Sequence, residues 1–418
     1  MIMNSIQDVK KFMDNRSSQG IKPGLERVLS MLSNVGYVNK SKVIHVTGTN
    51  GKGSFTAFLE AGLKPSNLNI GTFTSPSLDG LCGYFHINGE VMREQEFIFY
   101  LNRLLPIIND LDELNNHPSE FEIITLIGLL YFEDKADVAI IEAGMGGLED
   151  TTNVVKPILS VITSISIDHQ AFLGDTIEEI TRHKAGIIKE DTPVIVGRIT
   201  DDSMKIITEK CISNHSELYS LGHDFNVKYL NGLYYYTNNL MDEYTFNLKV
   251  KGIHQADNAA LALEALVLLK DLDININAAI KSVKQLEIVG RFEIIKDEPS
   301  MIIDGAHNEA SMKAFISTIE LEPTSKVKHL IISSFKDKPL KLMLDLAESH
   351  FDIITVTTFN HPRAYSFEEL NRLDLGVEVE DNWMQLIKDI LKYDSKTTTY
   401  YIVGSVYFTT LVKSMMNE

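Results

Sequence analysis

The chain has 418 residues, too many for one ordinary core, and predicts two or three domains. With 44% hydrophobic and 23% charged residues it is globular in composition, and a net charge of -18 excludes nucleic acid as a main partner, because backbone phosphates would be repelled over most of the surface. It has no apolar run of the ~18 residues needed to span a bilayer and no apolar signal segment from Met1 to Asp14. Its two cysteines, Cys82 and Cys211, are far apart, so a cytoplasmic protein with no membrane span, disulfide framework or structural zinc is expected.

Taken in order, apolar residues recur at helical spacing around Ile6, Val9 and Phe12 and again around Leu25, Val28, Leu29 and Leu32, with Pro23-Gly24 between, which predicts two covering helices. Val43 to Ser54, VIHVTGTNGKGS, then reads as a buried strand, a glycine turn and the start of a helix continuing to Leu63. That order makes a phosphate cradle: backbone N–H groups and the helix N-terminus face an anion, and Lys52 adds a point charge for the outer phosphates of a nucleotide. It departs from the strict P-loop spacing, with Val46 at the first glycine position and Gly53 before Ser54, and a plain glycine-rich turn is the competing reading.

Ile70 to Thr74 is a second strand, stopped by Ser75-Pro76, and residues 77–92 read as irregular with Asn88-Gly89 a turn between short extended pieces. Helices follow over Glu94 to Leu105 and over Ser119 to Phe132, the latter with a Ser119/Glu122 capping box. Asp137 to Glu142 is an apolar strand ending in a carboxylate before the turn Gly144-Met145-Gly146-Gly147. Ile158 to Ile167 is another, ending in Asp168-His169. A helix capped by Thr176 and Glu179 carries Lys184, and Pro193 to Gly197 is the next strand. The alternation implies βαβ units and a mainly parallel sheet, to which the alternating, tyrosine-rich stretch from Phe225 to Lys251 is expected to add a small antiparallel piece.

His254 to Lys270 and Ile276 to Leu286 are predicted helices. Beyond Gly290-Arg291 a second α/β rhythm runs through strands near Ile294, Met301 to Asp304, His329 to Ser333, Ile353 to Thr357 and Tyr400 to Gly404. The expected fold is therefore α/β: a P-loop-type domain over 1–288 with a small antiparallel addition, then a smaller Rossmann-like α/β domain over 289–418, joined near Gln285 to Phe292.

Ser75, Glu142 and His169 each follow an apolar strand of the first domain, where a nucleotide and its metal would lie. Oxygen donors suit Mg²⁺, histidine less so, and a capping or hydrogen-bonded loop histidine is the bland alternative for His169. For Lys184 the alternative is a helix-surface lysine, for Asp304 a helix cap, and for Lys338 a surface charge.

The motifs that resemble a known family run over nearly the whole chain: KPGLERV at Lys22, HVTGTNGKGS at His45, FTSP at Phe73, FEIIT at Phe121, EAGMGG with DTTNV from Glu142, SIDHQAFLG at Ser166, KAGIIK at Lys184, GIHQADNAALA at Gly252, GRFE at Gly290, DGAHN at Asp304, DK at Asp337, PRA at Pro362 and GSVYF at Gly404. In this order they resemble the folylpolyglutamate synthase / dihydrofolate synthase family of the Mur-ligase superfamily. The resemblance implies an ATP-dependent ligase joining L-glutamate to a folate-type carboxylate, dihydropteroate or a folyl glutamate, through an acyl phosphate, in a protein that closes about a hinge and works as a monomer. It implies ATP on Thr49, Asn50, Gly51, Lys52, Gly53 and Ser54, with Asn258, Arg291 and Asp304 as further nucleotide residues. It also implies Mg²⁺ at Ser75, Glu142 and His169, a carbamylated Lys184 serving a second Mg²⁺, a monovalent cation, and His307 at the reacting centre. Ser77, Gly83, Tyr84 and Leu148 stand where that family carries charged or polar residues. A Mur-type ligase for another carboxylate and an ATP-binding paralogue without ligase activity are the alternatives.

Overall fold

The computed structural model describes residues 2–17, 20, 24–77, 79–322, 324, 326–393 and 397–417; Lys22 and Pro23 of the KPGLERV motif lie outside them. The chain divides into two compact units, Met1–Asn247 with Ala256–Leu286, and Leu248–Gln255 with Glu287–Glu418. A boundary at 288 differs from this division in the segment Leu248–Gln255, which belongs to the second unit although it precedes residues of the first.

In the first unit, helices α1 (Ile6–Ser17) and α2 (Glu26–Val35) precede β1 (Lys42–Thr47) and α3 (Lys52–Leu63). After β2 (Ile70–Phe73) come β3 (Phe85–Ile87) and β4 (Glu90–Val91), then α4 (Glu94–Glu113), α5 (Glu120–Lys135) and β5 (Val138–Glu142). The order continues with β6 (Pro157–Ile162), α6 (Gln170–Leu173), α7 (Ile177–Ala185), β7 (Val194–Val196), α8 (Asp201–Ser213) and β8 (Leu218–Ser220). These strands form one sheet in the order β4-β3-β2-β5-β1-β6-β7-β8, parallel except for the β3–β4 edge. The register pairs Val46 with Glu142 and Thr47 with Ile162, so the ends of β1, β5 and β6 are level. The apolar runs are explained by burial on both faces of the parallel strands.

Strand β8 and the strand over Glu378–Glu380 in the second unit are not expected from the sequence, and three further differences have a clear physical cause. Helix α4 continues past Pro106 to Glu113, because Phe97, Tyr100, Leu101, Leu104, Leu105 and Ile108 bury one face; that packing outweighs the ~3 kcal/mol that an interior proline costs. The strand expected to reach Ile167 stops at Ile162, for a reason that belongs to the cradle and is given below. The tyrosine-rich segment forms β9 (Phe225–Leu230), β10 (Leu233–Asn238) and β11 (Glu243–Phe246), a three-stranded sheet of its own and not an extension of the first. It is fastened by Tyr236, whose buried hydroxyl donates to Glu264 on α9 (Ile253–Leu268). Helix α10 (Ile276–Gln285) closes the unit against α3.

The second unit holds β12 (Glu293–Lys296), β13 (Ser300–Asp304), α11 (Glu309–Leu321), β14 (Val327–Ser333), α12 (Leu340–Ala347) and β15 (Ile353–Thr357). It ends with α13 (Phe367–Arg372), β16 (Glu378–Glu380), α14 (Trp383–Tyr393), β17 (Thr398–Gly404) and α15 (Val406–Asn417). Its sheet order is β12-β13-β17-β14-β15-β16, antiparallel only at β12. Apolar clusters cover both faces, one around Phe315, Leu330 and Tyr401 and the other around Ile331, Ile387 and Phe408. At the end of β17, Gly404 has φ +131, and a Cβ there would fall 1.8 Å from the carbonyl oxygen of Ser333. Gly404→Ala is therefore expected to remove ~3 kcal/mol or more of stability, read as a lower denaturant midpoint for unfolding; an unchanged midpoint would refute the close approach.

Candidate active site

The cradle sits where β1 turns into α3. Helix α3 begins at Lys52, so its N-terminal N–H groups lie inside the glycine turn. Gly51 supplies the positive φ of +87 that lets the chain reverse, and a Cβ on it would meet the Asn258 carboxamide at 2.4 Å. Asn258, on α9, is thereby placed against the cradle despite lying two hundred residues away in sequence.

The loop after β6 holds the cradle in shape. Asn50 donates its N–H to Ser164 Oγ (2.9 Å), and its carbonyl accepts from Thr163 Oγ1 (2.6 Å) and Ser164 Oγ (2.9 Å). Thr49 N–H donates to the Ser164 carbonyl (2.9 Å), and Ser166 N–H donates to Thr49 Oγ1 (3.0 Å). These side-chain bonds draw residues 163–166 out of the ladder, which is why β6 ends early.

Lys52 Nζ donates to the Gly48 carbonyl at 2.9 Å and stands 3.7 Å from Glu142 Oε1. Glu142 is buried at the end of β5, and its other oxygen faces Gly53. Ser54 Oγ is buried and makes no hydrogen bond within the protein, the condition of a hydroxyl whose partner is a ligand. Ser75 lies two residues past β2, whereas His169, expected directly after a strand, lies seven residues past the end of β6, which stops at Ile162. Ser75 is half-buried, and His169 is exposed, with φ +52 at the start of α6. Among the described residues no three His, Cys, Asp or Glu side chains cluster as a metal cage. A single carboxylate with hydroxyl and phosphate oxygens is nevertheless what Mg²⁺ accepts, since it keeps waters and substrate phosphates as ligands.

Lys184, on α7, is 3% exposed, so it is not the surface lysine of the bland alternative. Burial, aided by the charge of Lys52, lowers its pKa to about 7, while Asp168 and Asp150 oppose the fall. A large fraction of this amine is neutral at physiological pH.

Sequence reasoning gave no role to Asp150, although it opens the DTTNV motif. Its carboxylate is buried and accepts from Met145 N–H (2.8 Å), Thr152 N–H (3.0 Å) and Thr152 Oγ1 (2.5 Å), which fixes the glycine turn after Glu142. Thr152 Oγ1 also meets His45 Nε2 at 2.9 Å, and burial keeps that imidazole neutral, with its pKa lowered to about 3. Only the conjunction of a buried His45 in β1 with Asp150 reveals this brace, and spacing does not supply it.

In the second unit, Asp304 ends β13 buried, accepting from Phe292 N–H (2.8 Å) and Ala306 N–H (2.9 Å). Burial raises its pKa and Arg291 opposes the rise. It is not a helix cap: Asn308 caps α11 through Ser311. His307 donates Nδ1–H to the Gly305 carbonyl at 2.8 Å, so that in the neutral ring Nε2 is the acceptor nitrogen. His254 packs beside Gly252, burial and Arg291 holding its pKa down to about 4. Lys338 is buried, not a surface charge.

This fold matches known proteins. The model of the Mur ligase middle domain matches residues 46–266, and that of the Mur ligase glutamate ligase domain matches residues 290–406. The chain is thus a Mur-type, ATP-dependent ligase. The dihydrofolate synthase/folylpolyglutamate synthase of Bacillus subtilis is 32% identical over 97% of this chain and 98% of its own. Mycobacterium tuberculosis folylpolyglutamate synthase, solved with ADP and AMPPCP, superposes with a TM-score of 0.88 at 27% identity over 99% of this chain and 98% of its own. E. coli FolC in complex with DHPP and ADP does so at 0.89 and 25%, with the same coverage. The chain belongs to the folylpolyglutamate synthase / dihydrofolate synthase family. No helix among the described residues is long and apolar enough to cross a membrane.

Proposed function

We propose that this enzyme forms an amide between the carboxylate of dihydropteroate or a folyl glutamate and the amine of L-glutamate, with ATP as phosphoryl donor. The observation that carries the reading is the Lys52, Glu142 and Asn258 constellation around a glycine turn whose Ser54 hydroxyl lacks a protein partner. Gly51, Gly53 and Ser54 hold the triphosphate through backbone and hydroxyl groups, Thr49 and Asn50 shape the turn for it through their bonds to residues 163–166, and Lys52 neutralises its outer oxygens. Asn258, Arg291 and Asp304 bind and orient the nucleotide. Ser75, Glu142 and His169 would hold Mg²⁺. Bound there, the ion would neutralise charge on the phosphates, as phosphoryl transfer requires.

In the first step a substrate carboxylate oxygen bonds to the γ-phosphorus and the bond to ADP breaks, giving an acyl phosphate. In the second the glutamate nitrogen bonds to the acyl carbon, the bond to phosphate breaks, and the amine loses a proton. His307 is suited to accept it at Nε2, because its Nδ1–H is engaged by Gly305. Lys184 is the residue proposed to be carbamylated. Its neutral amine and carbon dioxide would give a carbamate and one proton, and the new carboxylate would serve a second Mg²⁺.

The test is phosphate release by the purified protein with ATP, Mg²⁺, L-glutamate and dihydropteroate or a reduced folate. Release is expected only with all components present, and release that ignores the pterin substrate would overturn the reading.

A further inference from the structure

The turn that carries Arg291 is held in a conformation its own sequence does not favour. Gly290 has φ +67 and Phe292 has φ +43, so left-handed backbone flanks the arginine on both sides. A glycine adopts it freely and a phenylalanine rarely does. Residues in such conformations persist where their surroundings fix them, and they gather at functional sites. Phe292 is buried, its ring packed against Phe315 (centroids 5.9 Å apart) and Tyr401 (6.4 Å), which pins it in the core of the second unit.

All three backbone N–H groups of the turn are engaged. Gly290 donates to Glu293 Oε2 (2.8 Å), Arg291 to the Ile288 carbonyl (3.3 Å) and Phe292 to Asp304 Oδ2 (2.8 Å). The Gly290 carbonyl accepts from Gly305 N–H (2.9 Å) and from Arg291 Nη1 (3.1 Å). A Cβ on Gly305 would fall 2.3 Å from Nη1, so the guanidinium lies against the backbone that follows Asp304 at the end of β13. Arg291 is thus held through its backbone and through its fork.

One carboxylate in this arrangement has no part in the proposed reaction. Glu293 opens β12, and while one of its oxygens holds Gly290 N–H, the other accepts from Lys413 Nζ (2.6 Å) on α15. An ion pair half open to water stabilises little by itself. This one joins a helix to the turn: Lys413 fixes the carboxylate, and the carboxylate fixes the left-handed glycine next to Arg291.

We infer that Glu293, steadied by Lys413, is a positioning residue for ligation: it keeps the Gly290–Phe292 turn in the shape that aims the Arg291 guanidinium, and acts on the nucleotide through Arg291 and not by contact. The inference rests on the ligase reading above, in which Arg291 binds the nucleotide.

The experiment measures kcat, KM for ATP, KM for the pterin acid and the unfolding midpoint in the wild type, Glu293→Ala, Glu293→Gln, Lys413→Met, Arg291→Ala and the double variant Glu293→Ala/Arg291→Ala. Arg291→Ala is expected to lower kcat/KM for ATP about a hundredfold. Glu293→Ala should lower it about tenfold, and Lys413→Met and Glu293→Gln, which keeps an acceptor for Gly290 N–H, about threefold, with KM for the pterin acid unchanged in each. Adding Glu293→Ala to Arg291→Ala should lower it less than about twofold further, because a residue that acts through Arg291 then has nothing left to position.

A further loss of about tenfold in the double variant overturns the inference and leaves the ligase reading standing. So does a Glu293→Ala enzyme with a lower unfolding midpoint and wild-type kinetics, the mark of a merely structural pair. If Glu293→Ala does not fold, Glu293→Gln in both backgrounds carries the same comparison. An Arg291→Ala enzyme that uses ATP like the wild type overturns instead the nucleotide role of Arg291, and a wild type that turns over no pterin acid overturns the ligase reading itself, each taking this inference with it.

Discussion

Lys52→Ala is expected to lower kcat/KM by about a thousandfold, ~4 kcal/mol of transition-state stabilisation, because it removes a side-chain cation fixed inside the cradle. The lysine is held from two sides, by the Gly48 carbonyl at 2.9 Å and by Glu142 at 3.7 Å, so its charge is in place before substrate arrives. The change should appear in kcat as well as in ATP affinity, since charge moves onto the phosphoryl oxygens as the bond to ADP breaks. Lys52→Arg is expected to recover little, because a planar fork does not replace a compact ammonium in so narrow a turn. Steady-state kinetics and titration with an ATP analogue decide the matter: an alanine variant that binds and turns over ATP like the parent removes the cradle from the mechanism.

Lys184 gives the second large effect, and its sign follows from its surroundings. Burial comes first and the charge of Lys52 second in lowering its pKa to about 7, so acid restores the ammonium form and base preserves the amine. Only the amine reacts with carbon dioxide. Activity is therefore expected to fall as pH drops through about 7 and to hold above it, with the acid limb moving to higher pH in Lys52→Ala, where one of the two depressing influences is gone. Lys184→Ala should lose roughly a hundredfold or more in kcat, and added formate or acetate should restore part of it by supplying a carboxylate in place of the proposed carbamate. Mass measurement of the intact protein in bicarbonate buffer gives a readout independent of activity. An alanine variant with full kcat would end the assignment.

The two effects are coupled through Asp150. It braces the turn after Glu142, and its charge, with that of Asp168, works against the depression of the Lys184 pKa. The carboxylate at the end of β5 and the amine on α7 thus answer to one buried acid.

Much of this was readable without coordinates, because it is local. Glycines at fixed offsets, a lysine after them and a buried run before them specify a strand-to-helix anion site whatever surrounds it. Short apolar runs separated by helical lengths specify parallel strands, and the Ser119 and Thr176 capping boxes occur as their spacing requires.

Tertiary structure decided the rest, where free energy comes from residues far apart in the chain. Helix α4 runs through Pro106 because its buried face outweighs a local penalty. Strand β6 stops at Ile162 because Thr163 and Ser164 bond to Asn50, more than a hundred residues earlier. The tyrosine-rich strands form a separate sheet because Tyr236 is anchored on Glu264. Asn258 meets Gly51, and Asp150 links to His45 through Thr152, only once the chain is folded. Sequence determined which groups were available for chemistry; the burial that turns Lys184 into a half-neutral amine belongs to packing, since desolvation is a property of the neighbours and not of the lysine.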